Sequence, residues 1–175
     1  MKATETKLKG CFILEPTVFE DSRGYFFESY NENKIEEILG YKPTFVQDNQ
    51  SKSSYGVVRG LHMQAGEHAQ AKLVRVVEGA VIDVAVDVRP GSETYGQSVA
   101  VELSADNKKQ LFIPRGFLHG FSVISDSATF FYKCDNGYNK SSEDGVNPLD
   151  KEIGIDWGVP SEKMIISDKD QEAQS

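Results

Sequence analysis

The chain has 175 residues, 39% of them hydrophobic and 26% charged, and a net charge of −8. These values describe one soluble domain long enough to bury a core, and the acidic balance excludes a general nucleic-acid binder, which presents a basic surface. An anionic small ligand stays compatible, provided that its site is locally basic against the acidic background.

Residues 1–10 are polar, with Lys2, Glu5, Lys7 and Lys9, and lack the apolar stretch of a signal peptide. No apolar run is long enough to cross a membrane, so no membrane partner is expected and the implied location is cytoplasmic. Cys11 and Cys134 are too far apart for a metal motif and too few for a disulfide framework, so both are expected as free thiols. The first β-like runs are 10–19 and 24–30. A helix follows, with Asn31 or Asn33 as its cap, Ile35, Ile38 and Leu39 on one face, Gly40 at its end and Pro43 just beyond. Further β-like runs are 44–47, 72–77, 80–88, 96–103, 110–113, 121–124 and 129–134.

The clearest run is 80–88, where Ile82, Val84, Val86 and Val88 alternate with Val81, Asp83, Ala85 and Asp87. It follows 72–77 across Glu78-Gly79, a hairpin-like turn. Asp83 and Asp87 share a face, either a solvated outer one or a polar interior. Beyond Asn136 the chain is polar and irregular, with a short helix expected near Pro160. It reads as a wrapping tail, so residues 1–175 are expected to form one domain. Short strands with close-set turn residues imply a sandwich or barrel.

Histidine occurs at 62, 68 and 119. His68 follows the turn-like Gly66-Glu67 and reads as a loop residue. Pro114-x-Gly116-x-x-His119 resembles the second signature of the cupin superfamily. The first signature of metal-binding cupins has His-x-His, a Glu, six residues and a Gly. Here the corresponding string is His62-Met63-Gln64, then Lys72, six residues and Gly79. Gln64 and Lys72 replace a histidine and a glutamate, and a lysine repels a cation where a carboxylate would bind one. The resemblance therefore implies a cupin without metal or other cofactor, in which a fixed ammonium supplies the positive charge.

A closer resemblance covers nearly the whole chain. The segments Glu15-Pro16-x-Val18-Phe19, Asp21-x-Arg23-Gly24-x-Phe26-x-Glu28, Phe45-Val46-Gln47-Asp48-Asn49, Arg59-Gly60-Leu61-His62 and Lys72-Leu73-Val74-Arg75 occur in order. They are followed by Asp83-Val84-Ala85-Val86-Asp87, Pro114-x-Gly116-Phe117-x-His119-Gly120-Phe121, Tyr132-Lys133, Gly154-Ile155-Asp156-Trp157 and Ser167-x-Lys169-Asp170. Together they resemble the dTDP-4-dehydrorhamnose 3,5-epimerase family. The resemblance implies an all-β, cupin-type jelly-roll β-barrel with a few short peripheral helices. It also implies epimerisation at C3 and C5 of a dTDP-linked 4-keto-6-deoxyhexose, whose protons at those carbons are acidified by the C4 ketone.

The resemblance assigns His62 as base and Tyr132 as the acid on the opposite face. Histidine near pKa 6.5 is a competent base at neutrality and tyrosine near 10 stays protonated. Lys72 would stabilise the enolate, and His119 would share that work or hold the sugar. Asp170 is the family's partner for the catalytic histidine, with Asp83 the alternative on sequence alone. Arg23, Arg59 and Lys169 are the candidates for the diphosphate, since cations and above all the arginine fork suit phosphate. Phe26, Glu28, Gln47, Asp48, Asn49, Tyr138 and Glu143 complete the implied substrate contacts. In the family Arg23 and Glu28 reach into the partner subunit's site, which implies a homodimer.

Four departures from the family pattern stand out: Met63 in place of an aromatic residue, Leu118 in place of alanine, Asn147-Pro148-Leu149 in place of Pro-Trp-x-Asp, and no apolar tail after Asp170. Met63 and Leu118 are expected to border the pocket and so to bear on which carbons react. The competing functions are a single-carbon epimerase of a related dTDP-4-keto-deoxysugar, a non-catalytic sugar-nucleotide-binding cupin and a metal-dependent cupin.

Overall fold

In the computed structural model, which describes residues 1–174, antiparallel strands form a six-stranded sheet, a five-stranded sheet and a separate hairpin. In chain order the strands are β1 (Lys2–Glu5), β2 (Phe12–Glu15), β3 (Val18–Asp21), β4 (Gly24–Phe27), β5 (Gln47–Ser54), β6 (Val58–Gln64) and β7 (Lys72–Glu78). They continue with β8 (Ala80–Asp87), β9 (Ser98–Ser104), β10 (Gln110–Ile113), β11 (Phe117–Val123), β12 (Ser127–Cys134) and β13 (Glu143–Gly145). The larger sheet has the order β1-β2-β10-β7-β12-β5 and the smaller β13-β6-β11-β8-β9, while among the described residues β3 and β4 pair only with each other. The chain changes sheet between β5 and β6, β6 and β7, β7 and β8, β9 and β10, β10 and β11, β11 and β12, and β12 and β13. This is the all-β jelly-roll arrangement, in which two sheets enclose one core.

The turn at Glu78-Gly79 corrects the sequence reading: it is a crossing, not a hairpin. β7 bonds to β10 and β12, whereas β8 bonds to β11 and β9. Gly79 has φ +78°, and a Cβ there would collide with the Ser127 carbonyl, so the sharp corner requires glycine.

The alternation over 80–88 is real and settles where the two aspartates point. Val81 and Ala85 belong to the core between the sheets, together with Val74, Leu111, Phe121 and Phe130. Asp83 and Asp87 are 0% exposed, so this face is interior. The other face is buried too: Val84 and Val86 pack with Val58, Leu61, Leu118 and Trp157. Asp87 is satisfied locally, by Arg89, Ser92 and Thr94.

The helix α1 (Glu32–Leu39) has Asn31 as its cap, with Oδ1 accepting from the Lys34 N–H at 3.1 Å, and Gly40 ends it at φ +80°. Ile35 is buried, and Ile38 and Leu39 pack beside it against Leu14, Leu73 and Phe112. The tail wraps as expected. Trp157 is buried and donates its indole N–H to the Pro148 carbonyl at 2.9 Å, while Ile165 bridges to Val57. The helix expected near Pro160 is a single 3₁₀ turn, Ser161–Lys163. A second short helix, α2 (Asp168–Gln171), was not legible in the sequence. Both cysteines are free and buried.

Candidate active site

A cavity of about 850 Å³ is lined by β5, β6, β7, β11, β12 and the tail segment that leads into α2. His62, Lys72, His119, Tyr132 and Asp170 all line it, with Asp48, Asn49, Arg59 and Lys169.

His62 and His119 are direct partners across β6 and β11. One pair further along, Phe121 opposes Arg59, so Gly60 and Leu61 together face Gly120. Such a bulge re-aims side chains and is common beside active sites. It needs backbones in close approach: a Cβ on Gly60 would sit 2.7 Å from the Gly120 Cα.

Asp170 reaches the bulge from α2. Its Oδ1 lies 2.6 Å from His62 Nε2, and its Oδ2 accepts the Gly60 N–H at 3.2 Å. Ser167 caps α2 and holds Asp170 by accepting its backbone N–H. Asp83 serves the other histidine, with Oδ1 2.7 Å from His119 Nε2. Of the two carboxylates left open by the sequence, Asp170 is the one that meets His62.

Lys72 stands on the facing sheet, with its ammonium 5.5 Å from the centre of the Tyr132 ring. Burial pushes that ammonium below its ordinary range, against the pull of Cys134 and Asp83. Burial pushes the Tyr132 phenol up. It also lowers His119 and raises Asp83, each opposed by the other.

Two further basic groups, Arg59 and Lys169, line the cavity. Arg59 donates Nε–H to Ser53 at 2.9 Å, which fixes its guanidinium at the cavity wall. Lys169 pairs with Glu143 at 2.7 Å, and the other oxygen of Glu143 accepts from the Tyr138 hydroxyl at 2.8 Å. Gln47 joins this rim, accepting the Tyr138 N–H and donating to Asn49. Asp48 pairs with Lys133.

Three predicted contacts are not brought to the cavity within one chain. Arg23 is exposed and paired with Asp21, Phe26 is 70% exposed, and Glu28 pairs with Lys34. All belong to the β3–β4 hairpin or the turn after it. Met63 and Leu118 correct another expectation. Strand alternation turns both away from the cavity, and they pack in the Trp157 core instead, so neither shapes the pocket directly. Gln64 shares the face of His62 but does not line the cavity: its Oε1 accepts the Asn139 N–H at 2.9 Å. His68 ties two loops together through Ser142 and Asn139. Sequence reasoning missed Gln50, Ser51, Phe121, Ile166 and Ser167 as lining residues. For Ser167 a signal existed: Ser167-x-x-Asp170 is a helix-start pattern.

The arrangement holds a histidine oriented by a carboxylate, a half-buried ammonium and a phenol around one cavity that Arg59 and Lys169 also line. Such a set is suited to removing and returning a proton beside a carbonyl.

Residues 5–175 match the model of the family described as dTDP-4-dehydrorhamnose 3,5-epimerase. The protein of that name from Escherichia coli K12 is 54% identical over 171 residues, covering 98% of this chain and 92% of its own. The crystal structure of the dTDP-4-dehydrorhamnose 3,5-epimerase of Elizabethkingia anophelis superposes with a TM-score of 0.97 at 60% identity, covering 100% of this chain and 96% of that one. A Legionella pneumophila 3,5-epimerase crystallised in complex with dTDP-4-keto-L-rhamnose gives a TM-score of 0.94 at 46% identity, covering 99% and 91%. With this fold, this site and matches of that extent, the chain belongs to the dTDP-4-dehydrorhamnose 3,5-epimerase family.

Proposed function

We propose that the protein converts dTDP-4-dehydro-6-deoxy-D-glucose to dTDP-4-dehydro-L-rhamnose, inverting C3 and C5 by acid–base proton transfer through an enolate. The observation that carries this reading is the 2.6 Å contact between His62 and Asp170 in a cavity shared with Lys72 and Tyr132.

The carboxylate accepts, so His62 carries its hydrogen on Nε2 and keeps a lone pair on Nδ1. That nitrogen takes the proton from the carbon beside the C4 ketone, and Asp170 stabilises the imidazolium that results. The electron pair moves to the ketone oxygen, where the Lys72 ammonium meets the developing charge. Loss of one such donor typically costs about 10²–10³ in rate. Tyr132, whose phenol burial keeps protonated at neutrality, delivers a proton to the opposite face, which inverts the centre. Solvent then reprotonates the phenolate and removes the proton from His62. Arg59 and Lys169 are read as diphosphate ligands, supported by their position on the cavity wall.

The exposed Arg23, Phe26 and Glu28 support a homodimer in which this hairpin completes the partner's site. We read residues 1–175 as one domain acting in the cytoplasm. No helix among the described residues is long and apolar enough to cross a membrane.

The test is incubation with dTDP-4-keto-6-deoxy-D-glucose in D₂O. Deuterium at both C3 and C5 is expected, and His62→Ala should abolish it. Label at one carbon would instead identify a single-carbon epimerase, and tight binding without label a non-catalytic cupin. Wild-type turnover in His62→Ala would remove His62 as the base.

A further inference from the structure

Among the described residues, the one buried side-chain oxygen without a hydrogen-bond partner is Oδ2 of Asp83. A buried carboxylate oxygen left bare is costly, and this one lies in the core beneath the cavity. The other oxygen is committed to His119 at 2.7 Å.

We infer that Asp83 is a positioning residue for the catalytic cluster: Oδ1 holds the His119 ring, and Oδ2, bonded to no side chain, is the counter-charge across the core that keeps the Lys72 ammonium charged. The inference rests on the proposed function and deepens it.

Lys72 and Asp83 stand on opposite sheets, on β7 and β8, so their attraction crosses the core. Titratable groups of β12, β11, β6 and β8 surround Lys72. From β12 come Tyr132 and Cys134; burial raises both, Cys134 to about 11, so neither is an anion at neutral pH. From β11 and β6 come His119 and His62, which can only add positive charge. From β8 comes Asp83. Asp170 and Asp48 line the same cavity, but Asp170 is paired with His62 and Asp48 with Lys133; of the two groups that pull on the Lys72 charge, Cys134 and Asp83, Asp83 alone can be negative when the enzyme works. Burial by itself drives Lys72 towards the neutral amine, and a neutral amine loses the electrostatic stabilisation that the enolate needs. A fixed anion is the remedy, and Asp83, fully buried, is itself shielded from solvent.

The two histidine–aspartate pairs look alike but differ in role. Asp170 comes from the tail and orients a base. Asp83 lies in the core and serves two cations at once.

The test compares Asp83→Asn with wild type as full-length protein, using kcat and KM across pH. Asparagine keeps the shape and a hydrogen bond to His119 but removes the charge. The expected result is a fall in kcat of about 10²-fold, with KM changed only a few-fold. The alkaline limb of kcat should also move to lower pH by about one unit or more, because an ammonium without its anion gives up its proton more easily. An unmoved alkaline limb, whatever the fall in kcat, overturns the proposal. If Asp83→Asn does not fold, Lys72→Met supplies the reading through stability. Without the ammonium, the folded state holds Asp83 at a raised pKa, and that raises the cost of ionising it as pH rises. The loss of Tm relative to wild type should therefore be larger at pH 8 than at pH 5, and an equal loss at both overturns the proposal. Wild-type protein that exchanges no deuterium would defeat the epimerase reading itself, which these two outcomes leave standing.

Discussion

In the proposed mechanism each nitrogen of His62 has one task, and the division depends on a single carboxylate. Asp170→Asn offers Nε2 an amide N–H in place of an acceptor, which favours the tautomer with hydrogen on Nδ1. The base then has no lone pair towards the substrate. We expect kcat to fall by about 10²–10⁴-fold with dTDP affinity retained, as measured by steady-state rates and titration calorimetry. A variant as fast as wild type would show that ring orientation is not limiting. Tyr132→Phe removes the proposed acid and leaves the proposed base. Deuterium should still enter at one carbon, while the yield of the fully inverted sugar collapses in NMR of the product. His62, Lys72, His119 and Tyr132 were legible because each stands in a local string of residues. The partner of His62 was not, because 108 residues separate the two and both Asp83 and Asp170 were chemically adequate. Only the fold decides that Asp83, on a strand buried on both faces, meets His119.

Elements were legible where both faces are apolar or where a cap marks an end. The alternation of β8 and the Asn31 and Gly40 caps of α1 are of this kind. β5 was not, because its inward residues Asn49, Ser51 and Ser53 are polar; they face a polar cavity or its wall, not the oily core. The run expected at 44–47 is the approach to β5, which begins at Gln47 and extends to Ser54. β6 was masked by the bulge that breaks its period. The four-residue α2 is too short to persist by propensity, yet it delivers Asp170. Its stability therefore rests on tertiary contacts and on the Ser167 cap. Ser167→Ala should cost about 1 kcal/mol in urea unfolding, and kcat should fall with it because Asp170 loses its backbone anchor. Ser167→Thr, which can still cap, should recover most of both. If stability drops and kcat does not, α2 does not govern the base.

At the scale of the molecule, a net charge of −8 coexists with a cavity whose wall holds Arg59, Lys72 and Lys169. The positive field is thus local, as an anionic substrate requires in an acidic protein. The same reasoning leaves Arg23 unexplained within one chain, since its side chain is 89% exposed beside Asp21. It shares its hairpin with Phe19, Tyr25 and Phe26, all more than half exposed, and clustered exposed aromatics are typical of an interface. If the hairpin of one protomer completes the site of its partner, function becomes separable between chains. His62→Ala lacks a base but lends an intact Arg23, and Arg23→Ala keeps its base but lends none. Each variant alone should be poorly active at low substrate. Mixed and allowed to exchange subunits, they form dimers with one complete site and one doubly damaged one. With half of the dimers mixed, about a quarter of wild-type activity should return. Recovery that follows the rate of subunit exchange would establish the shared site. Activity that stays at the average of the two variants would place Arg23 outside the partner's site and confine the reaction to one chain.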